Sequence, residues 1–289
     1  MNENIFENKF INEYQKLFYF QGYRNIWQYN PNCAEKDINL VYRPKIGKCE
    51  FNNVEFKTLL NFDKNSRIHK AAYNKNKKPI VILGDSHAMG WGVQDHETFA
   101  SLIQEKLNIK VYNQAVSSYG TFRELKKLEL SGIVNEVDTI IIQYSDNDRS
   151  ENINLINNPE KIINSDFSFS NQSTKIDLNT FFKFFRRSIK IPFQLFNNEK
   201  ERSFNDHFEP LHNVLKKFSR TLKDKRIIIF YSNSHGLKFN DFEKFNDNLD
   251  FKNISLIDLN IKRDFYYVVD DHPNSDGHQF IARKLIEII

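Results

Sequence analysis

The chain has 289 residues, a formal net charge of +4, 40% hydrophobic residues and 27% charged residues. That balance belongs to a globular chain able to bury a core without metals or disulfides, and it excludes disordered and fibrous classes. Acidic and basic residues are mixed along the chain, so no nucleic-acid footprint is expected, and no apolar run approaches the ~18 residues of a transmembrane helix.

Met1 to Phe10 lacks the basic and apolar regions of a secretory signal, so the expectation is a cytoplasmic protein. Ile5, Phe6, Phe10, Ile11, Tyr14, Leu17 and Phe18 recur at helical spacing and predict a helix. Cys33 and Cys49 lack metal-site spacing; two free thiols are the plainer reading, a disulfide the other. From Leu40 to Phe62, partial alternation around Arg43-Pro44 and Gly47-Lys48 predicts a hairpin. Residues 1–74 therefore read as an accessory helix and β-rich flap, and 75–289 as the main domain, with the polar run from Asn74 to Lys78 between them.

The main domain opens with the apolar run from Pro79 to Leu83, a buried parallel strand ending in Gly84-Asp85. Helices are predicted over 98–107, 122–130, 207–222 and 276–289. Further strands are predicted at Val111-Tyr112, 138–144, 226–231 and 254–259. The Asn/Ser-rich start of an insertion at 149–205 reads as a loop. Its aromatic and basic stretch from Phe181 to Lys190 reads as a helix packed on the domain, with a lid or a membrane-surface helix as the other options. Alternating strands and helices predict an α/β fold: a three-layer α/β/α sandwich around a five-stranded parallel sheet. Ligands then bind beyond the carboxyl ends of the strands.

Four loops at that edge carry candidate chemistry. Gly84-Asp85-Ser86-His87 follows the first strand; Ser86 there is either a nucleophile in need of a base or the start of a capped helix. Asp270-Asp271-His272-Pro273-Asn274 precedes the last helix; His272 there can accept the Ser86 proton, with an acidic neighbour to orient it, or is a plain loop histidine before a helix. Ser145-Asp146-Asn147-Asp148 follows the third strand and offers an amide to an oxyanion, or is a polar loop. The run from Asn113 to Thr121 offers a backbone N–H, or is a plain turn. Trp91 is expected to pack beside the nucleophile loop. His96, His207, His212, His235 and His278 have no metal-ligand spacing and read as structural or surface residues.

In this order, each after a predicted strand, the blocks at 82–93, 113–121, 146–148 and 270–277 resemble the SGNH hydrolase superfamily, the GDSL-like lipases and esterases. The resemblance covers about 79–289 without the insertion. It implies a flavodoxin-like three-layer fold that needs no metal or other cofactor, with Ser86 as nucleophile and backbone oxyanion donor, Asn147 as amide donor and His272 as base. Two departures stand out. Ser118 occupies the position usually held by glycine, which leaves Gly120 as the fallback N–H donor. Val269 stands where the acid often lies, so Asp270 is chosen, with Asp271 or a backbone carbonyl in reserve. His87 and Asp148 are expected to touch substrate, with a packed or capping histidine as the other reading of His87. The implied function is hydrolysis of an O-acyl ester, acetyl on a carbohydrate, through an acyl-enzyme on Ser86. A carbohydrate O-acetyltransferase and a non-catalytic carbohydrate-binding protein on the same scaffold are the alternatives. The partner is a small-molecule or glycan ester, with no nucleic acid, and membrane contact only through 181–190.

Overall fold

The computed structural model describes residues 19, 24–159, 167–169, 182, 185, 186, 188, 189, 205–232 and 252–289. The helix expected at 5–20, apart from Tyr19, and most of the insertion, including most of 181–190, lie outside the described residues.

The N-terminal part holds two antiparallel pairs. Strand β1 (Ala34–Asp37) pairs with β2 (Val41–Pro44), and β3 (Gly47–Asn53) pairs with β4 (Phe56–Phe62) across a turn at Val54 and Glu55. Alternation along β4 buries Phe56, Thr58, Leu60 and Phe62 and leaves Lys57 and Leu59 outward. Cys33 and Cys49 are joined in a disulfide with Cα atoms 5.0 Å apart, which corrects the free-thiol reading. Both lie buried where β3 passes the start of β1, a proximity that spacing along the chain does not reveal.

The main sheet comprises β5 (Ile80–Leu83), β6 (Val111–Asn113), β7 (Thr139–Tyr144), β8 (Arg226–Tyr231) and β9 (Ile254–Ile257), all parallel in the order β6-β5-β7-β8-β9. Its strands are almost continuously apolar because both faces are covered. Ile80 and Ile82 point into one core with Phe99, Ala100 and Ile103 of helix α2 (Phe99–Leu107) and Ile281, Ala282 and Leu285 of α7 (Ser275–Ile286). Val81 and Leu83 point into the other, with α3 (Thr121–Ser131), α4 (Asp146–Asn157), α5 (Asn205–Lys217) and α6 (Ser219–Leu222). Three layers result, as expected from the alternation. Trp27, Phe51, Leu60 and Phe62 share the first core with Ile80 and Trp91, so the N-terminal hairpin is continuous with the main hydrophobic interior.

The Asn/Ser-rich run after Asp148 is helical to Asn157 rather than a loop. A reciprocal cap between Ser145 and Asp148 starts α4, and burial of Asn152 and Leu155 holds it down. The sheet order reverses around β5, the place where ligands collect in such folds. The loops after β5, β6 and β7 therefore face a common point.

Candidate active site

Ser86 opens α1 (Ser86–Met89), a single helical turn directly after β5. Asp85 caps it, accepting the His87 N–H at 2.8 Å. Gly84 makes the turn: its φ is +149°, and a β-carbon there would lie 2.7 Å from both Ala88 Cβ and Gln143 Oε1. That Gln143 oxygen accepts the N–H groups of Asp85 and Ala88 at 3.1 and 3.2 Å, stitching the nucleophile turn to β7.

His272 lies in the loop before α7. Its Nε2 is 2.7 Å from Ser86 Oγ, and its Nδ1 is 2.5 Å from Asp270 Oδ1 and 3.0 Å from the Asp270 carbonyl. Ser86, His272 and Asp270 are 9%, 5% and 1% exposed, so this chain of contacts is shielded from bulk water while its serine end stays reachable. The loop is anchored by Tyr267 N–H donating to the His272 carbonyl and Asn274 N–H donating to Phe265 O. Gly277 is required in α7, since a β-carbon would meet Phe265 O at 2.1 Å.

Asp270 is held from several sides. The Tyr19 hydroxyl donates to Oδ2, Asn53 Nδ2 lies 3.4 Å from the same oxygen, and Arg24 lies 3.7 Å from Oδ1. Burial pushes its pKa up, but His272, Arg24 and the Tyr19 hydroxyl outweigh that and hold the carboxyl below its usual range. An ionised Asp270 accepts a hydrogen bond from His272 Nδ1–H, which keeps the proton on Nδ1 and leaves Nε2 as the acceptor facing Ser86. Trp91 stacks on the imidazole at 4.6 Å and 9°, so it packs beside the nucleophile loop as expected. Glu55, at the β3–β4 turn, accepts the N–H groups of Val268, Val269 and Asp270 at 2.8, 2.9 and 2.8 Å. Tyr19, Arg24, Asn53 and Glu55 were not candidates from the sequence. They lie more than 200 residues from Asp270, and no local pattern marks them.

On the oxyanion side, Ser118 has φ +61°, the left-handed conformation in which glycine is most at ease. It is exposed, and its N–H has no acceptor among the described residues. The loop carrying it is tied to the nucleophile strand by Val116 N–H donating to Gly84 O at 3.0 Å. Asn147 is exposed near the start of α4; its Oδ1 contacts Ser145 Oγ, which lies 2.7 Å from Asp85 Oδ2. The Ser86 N–H likewise has no acceptor among the described residues.

Two expected roles fail. The Gly120 N–H donates to Glu151 Oε1 at 2.8 Å, so it is not a fallback oxyanion donor. Asp148 is fully buried and cannot touch substrate. Its carboxyl accepts the N–H and hydroxyl of Thr121 and the N–H of Ser145, a strut between α3 and α4. Burial and the charge of Asp85 push its pKa well up. Asp271 points away from the imidazole, 3.2 Å from Arg263. His87 is half-buried, 2.9 Å from Ser232 Oγ, with its ring centroid 4.9 Å from that of His272. Burial lowers its pKa to about 4, so it is neutral at pH 7. No cluster of His, Cys, Asp and Glu able to hold a metal is found among the described residues, and no helix there is long and apolar enough to cross a membrane.

No protein-family model matches the sequence, and no curated protein matches it. Among solved structures the chain is similar to a lipolytic protein of the G-D-S-L family from Desulfitobacterium hafniense DCB-2, at 12% identity and TM-score 0.43, over 74% of this chain and 100% of that one. It is similar to the psychrotrophic esterase EstA from Pseudoalteromonas sp. at 16% identity and TM-score 0.43, over 73% and 96%. It is also similar to a family two carbohydrate esterase from Clostridium thermocellum, in complex with cellohexaose, at 13% identity and TM-score 0.46, over 79% and 68%.

Proposed function

We propose that the protein is a serine esterase that hydrolyses an O-acyl ester through an acyl-enzyme on Ser86. The observation that carries this reading is the continuous hydrogen-bonded run Ser86–His272–Asp270 at the carboxyl edge of the sheet. Serine alone is a weak nucleophile and gains strength from a base held within hydrogen-bond reach. As Ser86 Oγ bonds to the acyl carbon, His272 Nε2 takes its proton, and Asp270 balances the imidazolium. The carbonyl oxygen becomes an oxyanion, met by the Ser86 and Ser118 N–H groups and the Asn147 amide. Collapse breaks the ester bond, and His272 returns the proton to the leaving alkoxide. Water then attacks the acyl-enzyme by the same proton route and releases the acid.

The acyl group in this proposal is acetyl and the alcohol a sugar hydroxyl, on the likeness of the run Gly84-Asp85-Ser86-His87-Ala88 to polysaccharide-modifying SGNH domains. His87, neutral and adjacent to the imidazole, is the side chain proposed to meet the alcohol. The test is hydrolysis of acetylated xylan and of p-nitrophenyl acetate by wild type and Ser86→Ala. Loss of ~10³-fold or more in the variant is expected; equal rates in both proteins would overturn the reading.

A further inference from the structure

The left-handed turn at Ser118 is held by residues that lie outside the main domain. We propose that Gln28 and Tyr42 are positioning residues that lock the Ser117–Ser118 peptide, keeping the Ser118 N–H turned towards the reacting carbonyl. This rests on the esterase reading above and deepens it by assigning part of the oxyanion hole to the N-terminal segment.

Gln28 sits in a 3-10 turn at Trp27–Tyr29 and is 7% exposed. Both ends of its carboxamide are used on one loop: Oε1 accepts the Ser117 hydroxyl at 3.0 Å, and Nε2 donates to Ser118 Oγ at 2.9 Å. Fully buried Trp27, 5.6 Å from the Phe62 ring, gives that turn a rigid seat. Tyr42, on β2, donates its hydroxyl to the Ser117 carbonyl at 2.6 Å. That carbonyl belongs to the same peptide plane as the Ser118 N–H, and the two point in opposite directions because the plane is rigid. Fixing the carbonyl therefore fixes the direction of the N–H. Arg123 completes the hold by donating to the Ser118 carbonyl at 2.5 Å.

A serine at positive φ is disfavoured by its β-carbon and persists only where surroundings over-determine it. With its carbonyl and hydroxyl oxygens both engaged as acceptors, the backbone group that Ser118 leaves over is its N–H. Glycine would sit in this conformation without help. The pair Gln28 and Tyr42 supplies from the N-terminal segment what glycine would supply by lacking a side chain.

The experiment compares wild type with Tyr42→Phe, Gln28→Met and Gln28→Met/Ser118→Gly on p-nitrophenyl acetate, reading kcat, KM and the pH midpoint. It is paired with a crystal structure of Gln28→Met. Tyr42→Phe removes one oxygen and keeps the ring packing, so loss of folding does not obscure it. Each single variant is expected to lose roughly 10- to 100-fold in kcat, less than the ~10²–10³ of deleting a donor outright. KM and the pH midpoint should stay near wild type, because binding and the His272–Asp270 pair are untouched. Ser118→Gly should recover most of the Gln28→Met loss. Wild-type kcat in both single variants, in a protein that Ser86→Ala inactivates, would overturn the proposal. An inactive wild type would instead sink the esterase reading. The Gln28→Met structure would then decide: Ser118 leaving positive φ supports the lock, and Ser118 unchanged refutes it.

Discussion

Asp270 and Asp271 are neighbours with different partners, separated by one backbone dihedral. Asp271 takes φ +61°, which turns its carboxylate to Arg263 and leaves Asp270 against the imidazole. Asp270→Asn is expected to lower kcat on the order of 10²- to 10⁴-fold, because an amide no longer balances imidazolium or enforces the Nδ1–H tautomer. Asp271→Asn should stay within a few-fold of wild type, since asparagine tolerates positive φ. Steady-state kinetics at pH 8 separates the two, and equal losses would contradict the assignment. From sequence the block around His272 offers Asp270 with Asp271 and a backbone carbonyl in reserve; the Nδ1 contact that singles out the Asp270 carboxylate belongs to the folded chain. Asp148 is not distinguishable in sequence, because a carboxylate that struts two helices and one that meets substrate look alike in a polar run. Glu55 and Tyr19 were unreadable for a different reason: their contacts join segments that only the folded chain brings together.

Among elements, the loop from Met89 to Val93 is shaped by a single buried side chain. Arg67, 1% exposed, donates to the carbonyls of Met89, Gly90 and Val93 at 2.8, 2.7 and 2.7 Å and to Asp95 at 2.8 Å. This loop carries Trp91, which stacks on His272. Lysine cannot reproduce the planar fork, so Arg67→Lys should leave buried carbonyls and Asp95 poorly paired. A loss of about 3 kcal/mol of stability is expected, read from urea denaturation; an unchanged midpoint would contradict it. Periodicity showed the five parallel strands and their covering helices because both signals are strong in short apolar runs and amphipathic stripes. It failed at α4, where Asn and Ser hid a helix whose start was marked by Ser145 and Asp148 three residues apart, a usable capping signal.

For the whole molecule, burial sets the response to acid. Desolvation lowers the pKa of His69 to about 3, His87 to about 4 and His278 to about 3. The unfolded chain binds those protons near pH 6.5, so below that the unfolded state takes up protons that the folded state refuses. Stability is therefore complete above about pH 6.5 and falls as pH drops towards 4, by on the order of 1.4 kcal/mol per pH unit for each histidine. Asp270, whose pKa is depressed, loses its contribution in the same acid direction. Urea midpoints at pH 7.5, 6.0 and 5.0 test this, and a flat series would contradict it. The division expected at residue 74 is not visible in the hydrophobic interior, where Trp27 and Phe62 pack with Ile80 and Trp91. Composition shifts along a chain report linkers, not which surfaces bury each other.

Loops from distant parts of the chain meet at one hydroxyl, and that convergence is what would activate it. Reaction with a fluorophosphonate, followed by peptide mass spectrometry, tests it most directly. One label per chain on Ser86 is expected, lost in Ser86→Ala and slowed by orders of magnitude in His272→Ala. Labelling elsewhere, or at an undiminished rate without His272, would contradict the account.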